Sequence, residues 1–191
     1  MAQAPLSVRR WTREEYDRLV ALGVFDGEPL ELIGGQLIVA EPQGSYHAGI
    51  VFTVADVIRA ALPTGFVVRV QGPIALDDDS EPEPDVTVVS GRHEDYFTAH
   101  PQRPALVVEV AESSLRFDRR QKESLYARGG VRDYWIVNLV DRVLEVYRDP
   151  RADVSAVYGW RYGSVARLTA PADVALLTVP NVRIAVGDLL R

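Results

Sequence analysis

The segment ALVVEVA, residues 105–111, constrains the fold more than any other stretch of the chain. Its apolar residues occupy consecutive positions, so both faces of an extended strand would be apolar. Such a strand is typical of the centre of a sheet that is covered on both sides. The sequence therefore predicts an α/β core with this segment as a buried central strand.

Glu109 interrupts this apolar run between Val108 and Val110. Burying an isolated carboxylate costs several kcal/mol even after the protein relaxes. Glu109 must therefore be protonated, paired with a basic group or bound to a metal ion. On the strand alone, an ion pair with one of the many arginines is the simplest of these alternatives.

The N-terminal part predicts a helix followed by a β-hairpin. Thr12 and Glu15 fit a capping box at the start of a helix over residues 13–22. The following segment LELIGGQLIV predicts two short strands, with Gly34-Gly35 as a tight turn that needs positive φ.

Further along the chain, helices and strands alternate within one predicted domain, residues 1–191. Apolar spacing predicts a helix over residues 46–62, with Ser45 as its cap, and another over residues 117–128. The remaining strands are predicted in GFVVRVQGPIAL, bent at its Gly-Pro pair, in DVTVV, in DYWIVNL, in VLEVYR and, as short strands, in a β-rich C-terminal extension after Pro150.

Composition excludes several classes of protein. The chain contains no cysteine, which excludes disulfides and thiolate metal sites. We find neither a signal peptide nor a run of about 20 apolar residues, so we expect a cytoplasmic protein without a membrane span. The net charge is −6, from 21 basic and 27 acidic residues, which argues against a general nucleic-acid coat but not against a local basic patch.

Asp85 begins the strand that precedes Glu109 in the chain, so the two carboxylates are expected to lie close together. The simplest alternative for Asp85 is turn chemistry after Pro84. Two carboxylates about 4 Å apart repel by about 4 kcal/mol at an effective dielectric constant of 20, and a divalent cation relieves that repulsion. Hard oxygen ligands favour Mg²⁺ or Mn²⁺ over Zn²⁺.

Lys122 is the only lysine in the chain. Asp118, Lys122 and Tyr126 follow one another at a spacing of four residues and would share one helix face. One interpretation is a solvated Asp118–Lys122 ion pair that stabilises the helix by a few tenths of a kcal/mol. The alternative directs this face at the carboxylates, where lysine supplies a compact positive charge that arginine does not reproduce. Tyr126 would then either support the site by a hydrogen bond or pack in the core.

The segments EPDVTVV, LVVEVAESS and DRRQKESLYARGGVRDYWIV resemble the Uma-two family of restriction-endonuclease-like proteins, in the PD-(D/E)XK nuclease superfamily. Weaker similarity extends over WTREEYDRL and LELIGGQLIV. The resemblance implies an α/β (α+β) fold with a restriction-endonuclease-like core of four mixed strands flanked by helices.

The same resemblance implies that Asp85 and Glu109 bind the metal ion and that a lysine is catalytic. The superfamily places this lysine two residues after the acidic residue, where this chain has Ala111. The Uma-two pattern carries it on the following helix, which matches Lys122. Glu31 and His47 also match positions where the family keeps Glu and His. Their alternatives are a polar hairpin residue and a half-buried histidine with a satisfied hydrogen bond.

Two functions follow as expectations. The first is a Mg²⁺-dependent DNA endonuclease, with the Val110 carbonyl as a third metal ligand and a homodimer to cut both strands. The second is a non-catalytic nucleic-acid-binding or regulatory module on a nuclease fold, which the acidic net charge favours. Five arginines near the proposed site would either meet phosphates or form a solvated helix surface: Arg116, Arg119, Arg120, Arg128 and Arg132.

Overall fold

A six-stranded mixed sheet lies at the centre of the computed structural model, which describes residues 7–40 and 43–191. The strand order is β3-β4-β5-β6-β7-β8. Only the β5–β6 pair is parallel among these neighbours. The strands of this sheet are β3 Phe66–Val70, β4 Val86–Ser90, β5 Leu106–Ala111, β6 Asp133–Asn138, β7 Val143–Ala152 and β8 Trp160–Leu168.

All six residues of β5 are buried, which confirms the predicted central strand. On one face, Val108 and Val110 belong to an apolar core that includes α2 (Ser45–Ala61). On the other face, Val107 and Ala111 pack in a second core with α4 (Glu123–Arg128). Helices therefore cover both sides of the sheet.

The N-terminal helix and hairpin form as predicted. Helix α1 (Arg13–Ala21) begins with the Thr12–Glu15 capping box. Strands β1 (Leu30–Ile33) and β2 (Gln36–Val39) form the hairpin. Its turn residues Gly34 and Gly35 have φ values of 55° and 76°, where a Cβ atom would be strained.

Two local predictions in the next part of the chain are wrong. Gly44, not Ser45, is the cap of α2, and no side chain accepts a hydrogen bond there. Strand β3 ends at Val70 and does not continue through the Gly-Pro pair, because Gln71 adopts a φ of 48° that takes the chain out of the sheet.

The helix predicted over residues 117–128 begins earlier and is not uniform. It consists of α3 (Leu115–Phe117), a π-helical turn at Asp118–Lys122 and α4 (Glu123–Arg128). Single π turns inside α-helices often mark functional sites. Here the turn contains both Asp118 and Lys122, and both side chains are buried.

The C-terminal part is rich in β-structure, but its strands are longer than predicted. Strands β7 and β8 form a long hairpin that extends the central sheet. A small pair, β9 (Asp173–Val174) and β10 (Ile184–Ala185), and the short helix α5 (Val186–Leu189) follow. Among the described residues, no helix has the length and apolar character that a membrane crossing requires.

Candidate active site

A cavity of about 400 Å³ lies where β4 begins and β5 ends. It is lined by parts of the hairpin, by the start of α2, by the two strand ends, and by α3 with the π turn that follows it. The residues are Glu31, Ile38, Val39, Ala40, Gln43, Gly44, His47, Glu83, Asp85, Glu109, Val110, Glu112, Ser113, Ser114, Phe117, Asp118 and Lys122.

Asp85 and Glu109 lie side by side in this cavity. The β4–β5 register pairs Val86 with Val108, which sets Asp85 opposite Glu109 at the end of the ladder. The Val110 amide donates a 2.8 Å hydrogen bond to Asp85 Oδ2. The Asp85 amide lies 3.5 Å from Glu109 Oε2, at the upper limit for a hydrogen bond. The two carboxylates therefore face one cavity, as expected.

Lys122 reaches into the cavity from the π turn. Its Nζ donates to Glu109 Oε1 at 2.9 Å and lies 3.6 Å from Glu31 Oε2. Only 9% of its side chain is exposed. The interpretation of a solvated Asp118–Lys122 pair is therefore wrong, because the lysine is buried and forms ion pairs with Glu109 and Glu31.

Two further side chains from the same helical segment contact this group. The Tyr126 hydroxyl donates a 2.6 Å hydrogen bond to Glu109 Oε1, and the ring is fully buried in the core. Tyr126 thus combines both roles that the sequence left open. Asp118 is buried, and its Oδ2 accepts a 2.6 Å hydrogen bond from Ser114 Oγ.

His47 and Gln43 approach Asp85 from the side of α2. His47 Nε2 lies 3.6 Å from Asp85 Oδ2, and within the described residues this buried nitrogen has no hydrogen-bond partner. His47 is half-buried, as the sequence-based alternative expected, and its Nε2 faces the Asp85 carboxylate. The facing Asp85 carboxylate raises the pKa of His47. Gln43 Nε2 donates to Asp85 Oδ1 at 3.2 Å.

The cavity carries an excess of negative charge. Among the lining residues that the structure describes, six side chains are acidic and Lys122 is the single Lys or Arg. Burial raises the pKa of Glu109 to about 8, and Asp85 adds to this effect while Lys122 opposes it. Burial also raises the pKa of Asp118 to about 6. Burial alone would lower the pKa of Lys122, but its acidic neighbours raise it well above the ordinary value.

The donor atoms fit a hard divalent cation that keeps part of its water shell. Among the described residues, no three His, Asp or Glu side chains are arranged to enclose a metal ion. Mg²⁺ usually binds one or two carboxylates and retains several waters, so two carboxylates suffice. Glu109 Oε1 is occupied by Lys122 and Tyr126, whereas Oε2 has only the long contact to the Asp85 amide. Asp85 and Glu109 would hold the ion, and the Val110 carbonyl as a third ligand stays a prediction.

The arginine cluster does not form as a phosphate-binding group. Arg119 pairs with Glu145, and Arg128 pairs with Asp77 and Asp79. The other three arginines, Arg116, Arg120 and Arg132, are exposed. In the described part of the chain, none of the five lines the cavity.

The cavity also contains residues that the sequence-based set lacked, among them Gln43, Glu83 and Phe117. Glu83 belongs to the acidic loop before Asp85, and burial raises its pKa. Its position in EPEPD was the one available signal, because an acidic residue two positions before Asp85 can reach the same cavity. Gln43 lies in a connection without periodicity, and no pattern marks it.

A family model described as "Putative restriction endonuclease" matches residues 13–186. The chain belongs to the Uma2 family. A crystal structure described as "a putative nuclease belonging to DUF820", from Anabaena variabilis, has the same fold, with a TM-score of 0.67 at 18% identity. The match covers 94% of this chain and 97% of that one. Among curated proteins, no relative matches the chain.

Family membership agrees with the resemblance carried by the central motifs. The Uma2 match spans the helix–hairpin, the two carboxylate strands and the helical segment that holds Lys122. The mixed α/β fold with helices on both faces of the sheet is confirmed. The central sheet has six strands instead of the four that form the implied core.

Proposed function

We propose that this protein is a metal-dependent nuclease that hydrolyses phosphodiester bonds, with DNA as its substrate and Mg²⁺ or Mn²⁺ as its cofactor. The observation that carries the proposal is the convergence of Asp85, Glu109 and Lys122 in one acidic cavity. Membership of a family described as endonucleases supports it.

Each residue of the group has a role that follows from its contacts. Asp85 and Glu109 would hold the cation, which when bound lowers the pKa of water and offsets charge on the phosphate. Tyr126 and Lys122 both bind Glu109 Oε1, which fixes the carboxylate and turns Oε2 towards Asp85. His47 and the Val110 amide orient Asp85.

Lys122 is placed to act on the substrate itself. Its ammonium is held beside Glu109 and can donate to a phosphate oxygen or to the attacking water. Water attacks the phosphorus and loses a proton to solvent, the bond from phosphorus to one ester oxygen breaks, and the departing oxygen takes up a proton from solvent, which gives a phosphate monoester and an alcohol. The positive charge of Lys122 stabilises the negative charge that grows on the phosphate during this step.

The alternative function is a nucleic-acid-binding or regulatory module that does not cleave. The acidic cavity and the net charge of −6 favour the regulatory form of this alternative, because phosphates are repelled by uncompensated carboxylates. A homodimer and a cytoplasmic location stay predictions from sequence.

The test is cleavage of plasmid and single-stranded DNA by the full chain with Mg²⁺, Mn²⁺ or EDTA. We expect cleavage with either metal, none with EDTA, and none by Asp85→Asn purified in parallel. Asp56→Asn, which changes an exposed carboxylate on α2, is the matched control and should cleave like the wild type. Equal cleavage by Asp85→Asn, or none by the wild type on any DNA, would remove the proposal.

A further inference from the structure

The candidate active site has an apolar part as well as an acidic one. Ile38, Val39 and Ala40 line the cavity from the end of the hairpin, and Phe117 lines it from α3. Val39 leaves 66% of its surface exposed, and Phe117 is half-buried. Apolar surface at the mouth of a polar cavity is typical of ligand sites, where it is covered when the ligand binds.

This apolar lining adjoins the lysine and carboxylates. Ile38 pairs across the hairpin with Glu31, whose carboxylate lies 3.6 Å from Lys122 Nζ. Phe117 directly precedes Asp118 in the π turn. A flat apolar group bound against Ile38 and Phe117 would therefore share the cavity with the proposed metal ligands.

The charge of the site disfavours a double helix. Binding duplex DNA requires basic side chains that neutralise several phosphates. Within the described part of the chain, Lys122 is the one lysine or arginine that lines the cavity, and Arg119 and Arg128 are already paired with carboxylates. Base stacking on aromatic and apolar side chains contributes to single-strand binding without positive charge.

We propose that this cavity takes an unpaired nucleotide of single-stranded nucleic acid, with its base against Ile38, Val39 and Phe117 and its phosphate towards Lys122. The proposal rests on the proposed nuclease function and names its substrate class. A cavity of about 400 Å³ is large enough for a nucleotide-sized ligand. A base that stays stacked inside a duplex cannot enter such a pocket.

The experiment measures binding separately from cleavage. Oligonucleotides containing the fluorescent base 2-aminopurine are titrated with the full chain in Ca²⁺, as single-stranded DNA, single-stranded RNA and duplex DNA of one sequence. Anisotropy gives the affinity, and quenching of 2-aminopurine reports stacking. We expect the single strands to bind at least tenfold more tightly than the duplex, with quenching. The two single-stranded arms distinguish DNA from RNA as the source of the base.

Two variants test the apolar lining. Val39→Phe enlarges the stacking surface at an exposed position and should tighten single-strand binding about fivefold. Phe117→Leu should weaken it by a similar factor. The matched control is Val165→Phe, at an exposed strand position in β8 that does not line the cavity, and it should bind like the wild type.

The results separate this inference from the proposed function. If the protein prefers single strands, both variants change the affinity as expected and no cleavage occurs in Mg²⁺, the inference stands and the proposed nuclease function is rejected. Cleavage with equal affinity for duplex and single strand, or with both variants binding like the wild type, would overturn the inference and keep the nuclease. Absence of binding to every oligonucleotide would overturn the inference. Val39→Phe keeps the test informative if Phe117→Leu fails to fold.

Discussion

Replacing Glu109 with glutamine should stabilise the metal-free protein at neutral pH. Glutamine reproduces the neutral, protonated carboxyl and can still accept hydrogen bonds from Lys122 and Tyr126 through its amide oxygen. The wild type instead has to keep a buried carboxyl among other carboxylates, which raises its pKa from 4.5 to about 8. The substitution removes the cost of protonating this carboxyl when the protein folds.

The size of the effect follows from the pKa difference. Because the folded-state pKa of Glu109 is above the unfolded value, the native state binds the proton more tightly. Wild-type stability is therefore fully present below pH 4.5 and is lost as the pH rises towards 8. Keeping this carboxyl protonated in the native state costs the wild type about 3 kcal/mol at pH 7 and about 1 kcal/mol at pH 5, so the advantage of glutamine should grow by about 2 kcal/mol between them.

The assay is urea unfolding in EDTA at pH 5, 6, 7 and 8, followed by tryptophan fluorescence. Glu145→Gln is the control, because Glu145 is a buried carboxylate on the same face of the sheet with the opposite environment. Burial raises its pKa, but hydrogen bonds from Arg119, Asn138 and Tyr147 outweigh burial and lower it. Glu145→Gln should therefore destabilise the protein at pH 7. A Glu109→Gln protein that is less stable than wild type at pH 7, or a difference that does not grow with pH, would refute the reasoning.

Three further predictions concern the same group. Mg²⁺ or Mn²⁺ should raise the melting temperature of the wild type but not of Asp85→Asn. Because the metal ion displaces the Glu109 proton, calorimetry in two buffers should show proton release and an affinity for the metal that increases as the pH rises towards 8. Lys122→Arg should fold and bind metal but cleave about 100-fold more slowly, since the longer guanidinium misplaces the charge by about 1 Å. Cleavage by this variant at the wild-type rate would show that no lysine-specific role exists. Tyr126→Phe removes a hydrogen bond to the Glu109 carboxylate, so the pKa of Glu109 should rise further and the pH–rate profile for cleavage should move to higher pH. An unchanged profile would count against this contact.

Much of the site followed from the sequence because local signals and chain order agreed. Asp85 comes directly before β4, and Glu109 lies within β5, the next strand of the sheet along the chain. Because consecutive strands usually pair, the convergence of the two carboxylates was predictable. The single lysine drew attention to position 122. Its burial was not predictable, since a DxxxK spacing suits a solvated helix equally well.

Where the structure differs from the sequence-based predictions, the reasons lie in tertiary contacts and strand pairing and not in local sequence. The π turn at Asp118–Lys122 was not predicted, since the helical spacing of its residues fits an uninterrupted α-helix, and the structure shows that it contains the buried Lys122 that bonds Glu109. The β7–β8 hairpin was underestimated because Pro150 breaks the strand pattern. Strand β6 pairs with β7 only as far as Arg148, so Pro150 lies where one side of β7 has no ladder partner and a missing N–H is tolerated.

The most direct test of the account is a crystal structure with Mn²⁺ at pH 8, using anomalous scattering to locate the metal. The account predicts a peak between Asp85 and Glu109, about 2.1 Å from an oxygen of each, the distance expected for a hard divalent ion with octahedral geometry. Lys122 should remain beside Glu109 Oε1. At saturating Mn²⁺, no peak in this cavity, or a peak bound by neither carboxylate, would contradict the account.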